Sequence, residues 1–268
     1  MIRVAAIVIA AFALLAGACQ HDRPPTSTTV PETTTTSTSS TSSTTSSTSS
    51  TSSTTTTTTN APEPPANAFG PCIPDGAGPH PVVVYNHGGL GNAIGGDPEG
   101  TCEALAEAGY VGYSPMRRLT TSLAGHIDDV YTGLDYVLSL ESVDADRVGM
   151  LGYSRGGLLT LQAVTERSDI DAAVLMAPAP GNGFVYDVLD DAADITADVL
   201  VMVAANDNTN RHDLVALAQT VYDTLFAAGV AVEIEIYPPF GNDGHQLFAT
   251  VGEYWPDVVA FLDTQLGS

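Results

Sequence analysis

Gly152-Tyr153-Ser154-Arg155-Gly156 sets a serine between two glycines, each two residues away. The chemistry this spacing allows is nucleophilic attack. A serine oxygen is a poor nucleophile unless it is held out on a tight turn, beside a base and over backbone donors. Glycines at 152 and 156 leave room for such a turn and for a helix passing close to its neighbouring strand. A base of the right type is His245, in the loop Gly241-Asn242-Asp243-Gly244-His245. Histidine suits the task because its pKa lies near working pH. A carboxylate must then hold the ring's tautomer and steady its cation. Asp207, in Ala205-Asn206-Asp207-Asn208, is the candidate. The order Ser154, Asp207, His245 is that of hydrolases whose serine sits on a strand–turn–helix. A tetrahedral oxyanion also needs fixed donors. The Arg155 backbone N–H is one. The other comes from His87-Gly88-Gly89-Leu90-Gly91, with Gly89 first and Leu90 as its rival.

Other polar residues have plainer readings. His87 pins its glycine-rich loop by hydrogen bonds. His126 and His212 fall on expected helices. Asp198 precedes a strand and so lies at its wrong end, Asp243 is too near His245 to orient it, and Asp213 is a helix-start charge. The Arg155 side chain is read as structural rather than as a holder of an acidic substrate group. Asn206 to Asn210 faintly suggests a calcium loop, but Arg211 stands where glycine is required and no glutamate follows at the right distance, so no metal is expected.

These residues need a scaffold. Pro81 to Asn86, Tyr110 to Ser114, Val148 to Leu151, Ala172 to Ala177 and Val199 to Ala204 are short apolar runs, as in strands covered on both faces. Val230 to Tyr237 alternates and reads as a strand nearer an edge. Helical spacing covers Glu99 to Ala108, Leu123 to Leu140, the stretch after Ser154 to about Thr165, His212 to Ala228 and Leu247 to Leu262, the last broken at Pro256. Gly181 to Thr196 is acidic and irregular and is read as part of a lid. Strands alternating with helices require a mostly parallel sheet with helices on both faces. Ligands of such sheets sit at the carboxyl ends of the strands. His87, Ser154, Asp207 and His245 all follow strand ends.

The 268 residues divide by composition. Residues 1–18 carry Arg3, an apolar run from Val4 to Ala16 and small residues, as in a secretory signal. The run is shorter than the roughly 20 residues that cross a bilayer. Ala16-Gly17-Ala18-Cys19 resembles the lipobox of bacterial lipoproteins, which makes Cys19 the expected lipidation site. Residues 19–67 are mostly Ser, Thr and Pro, with almost nothing to bury, and read as a disordered tether. About 45 such residues average roughly 40 Å end to end. Residues 68–268 suit one folded domain. An exported protein in the cell envelope follows, a monomer meeting a membrane only through a lipid on Cys19. The formal net charge of −23 argues against nucleic acid. Cys72 and Cys102 are then expected to form one disulfide.

On the stretches VVVYNHGG, GYSRGG, the Asp207 turn and GHQLF, the chain resembles the α/β-hydrolase family, in its dienelactone-hydrolase-like and prolyl-oligopeptidase-like branch. The resemblance spans nearly all of residues 80–265. It implies a single α/β-hydrolase domain with about six to eight strands, a Ser154-His245-Asp207 triad and cofactor-free hydrolysis of acyl bonds. Dienelactone hydrolases proper carry a cysteine nucleophile where this chain has Ser154, so lactone specificity is not implied. The chain also shows no propeller domain of the oligopeptidase kind. The segment before Pro81 is too short for the family's additional early strands. The expected activity is a serine carboxylesterase acting on a small-molecule acyl substrate. A peptidase or acyltransferase on the same triad, and a non-catalytic cell-surface binding domain, are the alternatives.

Overall fold

The computed structural model describes Pro65, residues 67–209 and residues 212–267. Cys19, the leader and nearly all of the tether lie outside the described residues. In chain order the elements are β1 (Ala68–Cys72), β2 (His80–Asn86), α1 (Pro98–Glu107), β3 (Val111–Pro115), α2 (His126–Leu138), β4 (Val143–Tyr153) and α3 (Arg155–Glu166). There follow β5 (Ala172–Met176), α4 (Phe184–Leu189), β6 (Asp198–Ala204), α5 (Leu214–Ala228), β7 (Val232–Tyr237) and α6 (Trp255–Leu266).

The strands form one seven-stranded sheet in the order β1-β3-β2-β4-β5-β6-β7. All neighbours are parallel except β1, which runs antiparallel to β3. Alternate side chains of each central strand serve opposite faces, because the strand period is two. Val82 and Val84 of β2 join a core with α2, α3, α4 and α5. Val83 and Tyr85 join the other, with α1 and α6. Both faces are therefore covered, and that explains the unbroken apolar runs.

From β2 the chain passes to β3 on one side. From β4 it passes to β5 on the other. The β2–β4 pair is thus the point where the winding reverses. A crevice opens there at the strands' carboxyl ends, between the glycine-rich loop after β2 and the serine turn after β4.

Three expectations are amended. A strand precedes Pro81 after all: β1 supplies the sheet's edge, and Cys72 bonds to Cys102 of α1 with an S–S distance of 2.11 Å. Pro256 starts α6 rather than breaking a helix, since proline fits a first helical turn, where its missing N–H has no partner to lose. Gly181 to Thr196 is not a lid over the site. It contains α4, and Val185, Val188, Leu189, Ala192 and Ile195 are buried in the core. Only its start, at Gly181 and Asn182, reaches the crevice.

Candidate active site

Ser154 follows β4 and stands at the N-cap position of α3, with φ 56° and ψ −115°. Positive φ is costly for a residue with a Cβ. The turn keeps it because its surroundings leave no alternative. The Ser154 N–H donates to Met176 O at 2.9 Å, and its carbonyl accepts from Ala179 N at 2.9 Å and Leu158 N at 3.2 Å. The flanking glycines are spatial requirements. A Cβ on Gly156 would lie 1.8 Å from Asn86 O, and one on Gly152 would lie 2.3 Å from Gly156 O. The first turn of α3 therefore presses against the end of β2. Asn86 ties it down by donating to the Thr160 hydroxyl at 2.9 Å.

Asp207 follows β6 and is fully buried. Its Oδ2 lies 2.8 Å from Nδ1 of His245, which sits in the 3-10 turn Gly244–Phe248 after β7. A carboxylate bonded to Nδ1 makes Nδ1–H the donor and leaves Nε2 as the ring's free base. Neighbouring groups fix the two loops. Asn206 Oδ1 accepts from Phe240 N at 2.9 Å. Asn206 Nδ2 donates to Phe240 O at 3.2 Å. Asp243 caps the turn by accepting from His245 N at 3.1 Å, so it serves the backbone and not the ring. Tyr153 donates from its hydroxyl to His245 O at 3.0 Å, and its ring lies 4.8 Å from the imidazole. Burial first, and the Asp207 charge among the lesser causes, push the Tyr153 pKa up, which keeps it a donor.

Ser154 and His245 line one cavity of about 920 Å³. Among the described residues no hydrogen bond joins the Ser154 hydroxyl to the His245 ring; the cavity is what brings them together. Gly89, Leu90, Leu123, Arg155 and Leu158 form other parts of its wall. Gly89 has φ +88°, and a Cβ there would meet Ala93 O at 1.9 Å, so only glycine fits. The Arg155 N–H is at the first position of α3, one of the donors a helix leaves unpaired.

The remaining expected residues fall as follows. The Arg155 side chain is structural: Nη2 donates to Thr121 O at 2.9 Å and Nη1 to Ser122 O at 3.3 Å, joining the cavity wall to α3. His126 is buried at the start of α2, beside the Thr120 hydroxyl at 2.9 Å. His212 was expected on a helix, but it lies two residues before α5 and lines the cavity. His87 pins its loop as expected, with Nδ1 2.7 Å from Gly88 O. Burial first, then Arg117, lower its pKa from 6.5 to about 4, so the ring is neutral near pH 7. Asn206, Tyr153 and the buried Arg117 carry contacts that sequence reasoning missed. Asn206 adjoins Asp207 and Tyr153 adjoins Ser154, which was the available signal. Among the described residues no cluster of His, Cys, Asp and Glu is arranged to hold a metal.

A doubly covered parallel sheet, with a strained serine turn at its switch point and a buried His–Asp pair beside it, defines an α/β-hydrolase. The family model described as "Dienelactone hydrolase family" matches residues 113–262, more than half of the chain. The chain belongs to that family, and it is a hydrolase of the dienelactone hydrolase, esterase and peptidase type. Dipeptidyl peptidase 8 of mouse and of human is 49% identical to it over 61 residues, 22% of this chain and 7% of theirs. The match thus spans a small fraction of the curated relatives' length. The acylaminoacyl peptidase of Pyrococcus horikoshii shares the fold with a TM-score of 0.53 at 21% identity, over 65% of this chain and 35% of that one. An esterase of Pyrobaculum calidifontis does so with a TM-score of 0.53 at 18% identity, over 70% and 76%.

Proposed function

We propose that this protein is a serine hydrolase that cleaves carboxylic esters through an acyl-enzyme. The observation that carries the reading is the buried Asp207–His245 hydrogen bond of 2.8 Å, opening into the cavity that Ser154 also lines. Ser154 Oγ attacks the ester carbonyl while His245 Nε2 takes its proton. Asp207 holds the ring and stabilises the imidazolium. The Gly89 and Arg155 amides receive the oxyanion. The alkoxide leaves with the proton from His245, and water, activated by the same ring, releases the acid and restores Ser154. The chemistry asks for no cofactor. A peptidase reading draws support from the likeness to dipeptidyl peptidase 8 and to acylaminoacyl peptidase, and it uses the same residues. The leader and Ser/Thr-rich tether support an exported protein, lipidated at Cys19 and held in the cell envelope.

A fluorophosphonate probe tests the mechanism. Wild-type protein is expected to label and Ser154→Ala is not. An unlabelled wild type, or equal labelling of the two, overturns it. Aryl esters against aminoacyl amides then separate esterase from peptidase.

A further inference from the structure

The chain carries 31 acidic residues against 8 basic ones. In such a composition an arginine readily finds a carboxylate. Arg118 pairs with Asp129, Arg147 with Asp144, and Arg167 with Asp135 and Asp169. Arg117 does not. It is 4% exposed, and its Nε and Nη1 have no hydrogen-bond partner. A buried charge left without a counter-ion is unfavourable, so its contacts show what it is held for.

Those contacts converge on one peptide. Arg117 Nη2 lies 3.5 Å from Gly88 O and 3.4 Å from His87 Nδ1, and the Arg117 backbone N–H donates to His87 Nε2 at 3.5 Å. With Nε2 accepting, the ring proton sits on Nδ1 and is donated to Gly88 O at 2.7 Å, so Nη2 and Nδ1 are two donors side by side that share Gly88 O as acceptor. Gly88 O also accepts from Gly95 N at 3.1 Å, while Gly88 N donates to Gly95 O at 2.7 Å. The carbonyl that gathers these donors belongs to the same amide unit as the Gly89 N–H. Donors on a carbonyl oxygen draw electron density across the amide and strengthen its N–H as a donor.

We propose that Arg117 is a positioning residue for acyl transfer: through the Gly88 carbonyl, its guanidinium orients and polarises the Gly88–Gly89 peptide, so that the Gly89 N–H receives the oxyanion. This rests on the serine-hydrolase reading above. Because the effect operates on charge that develops in the transition state, it falls on kcat rather than KM.

The test uses the full chain and the variants Arg117→Met and Arg117→Lys. It measures kcat and KM for 4-nitrophenyl acetate, the rate of fluorophosphonate labelling, and affinity for a trifluoromethyl ketone, which forms an oxyanion on the serine. Arg117→Met is expected to lose about 10- to 100-fold in kcat and a similar factor in labelling rate and ketone affinity, with KM held within about twofold. Arg117→Lys, which keeps the charge, recovers part of each. Unchanged kcat in Arg117→Met overturns the proposal, as does a loss confined to KM or a fall in kcat that leaves ketone affinity intact. If Arg117→Met does not fold, Arg117→Lys decides: a kcat loss at constant KM supports the proposal, and wild-type kcat overturns it. Ser154→Ala is run in parallel. Full activity in that variant, or an inert wild type, defeats the underlying serine mechanism and this inference with it, whereas failure of the Arg117 variants alone leaves that mechanism standing.

Discussion

Gly89→Ala tests the oxyanion site most directly. The added Cβ would sit 1.9 Å from Ala93 O, where real Cβ atoms essentially never come within 3.0 Å. The obstacle is backbone, so no side chain can swing aside, and the two strands of the loop must part by about 1 Å. Alanine must also adopt φ +88°, which costs about 1–2 kcal/mol. An N–H···O bond is best near 2.9 Å and is lost beyond about 3.5 Å, so this displacement takes the Gly89 donor out of range. Losing one oxyanion donor lowers kcat by about 10²–10³, or about 3–4 kcal/mol of barrier. Gly91→Ala is the control. It carries a similar conformational cost at φ +55°, but its Cβ meets nothing closer than Thr121 Cγ2 at 3.5 Å. Both variants are assayed for kcat and KM on 4-nitrophenyl acetate, with thermal unfolding alongside. The expected result is a Gly89→Ala defect in kcat with KM little changed, and a Gly91→Ala kcat within about threefold of wild type. A Gly89→Ala enzyme that keeps its kcat, or a Gly91→Ala enzyme that falls equally far, would refute the assignment.

Three further outcomes are expected. Asp207→Asn should fold but lose about 10⁴ in kcat, because an amide can no longer hold Nδ1 as the donor and the ring presents the wrong tautomer to Ser154; steady-state kinetics beside circular dichroism check it. The buried His87 stays neutral in the fold to about pH 4, whereas in the unfolded chain it takes up a proton near 6.5. Stability from this source is complete above pH 6.5 and declines as pH falls towards 4. Urea unfolding should therefore show wild type losing about 2 kcal/mol more than His87→Asn between pH 7 and pH 5, and parallel curves would count against it. The Cys72–Cys102 bond closes a separation of 30 residues, so Cys72→Ser with Cys102→Ser should cost about 3–4 kcal/mol in urea unfolding, with kcat retained because the bridge lies on the β1–α1 side; unchanged stability would defeat this.

Much of this molecule was legible along the chain because the signals are local. β-Branched runs such as Val82-Val83-Val84 and Val199-Leu200-Val201 announce strands buried on both faces. Gly152 and Gly156 mark the serine turn because no larger residue fits there. The order of Ser154, Asp207 and His245 at strand ends follows from those same runs. β1 escaped notice, since Ala68-Phe69-Gly70-Pro71-Cys72 lacks a strand's alternation and exists through pairing with β3 and the bridge to α1. Gly181 to Thr196 looked like a loose acidic cover, yet Val185, Val188, Leu189, Ala192 and Ile195 find room in the core beside α3 and α5. Arg117 was indistinguishable from Arg118 in sequence. One is buried under the glycine-rich loop and the other is ion-paired at the surface. Composition and spacing decide which backbone conformations are affordable residue by residue, whereas the partners of the buried Arg117 and of His245 depend on segments 30 and 38 residues apart being folded together.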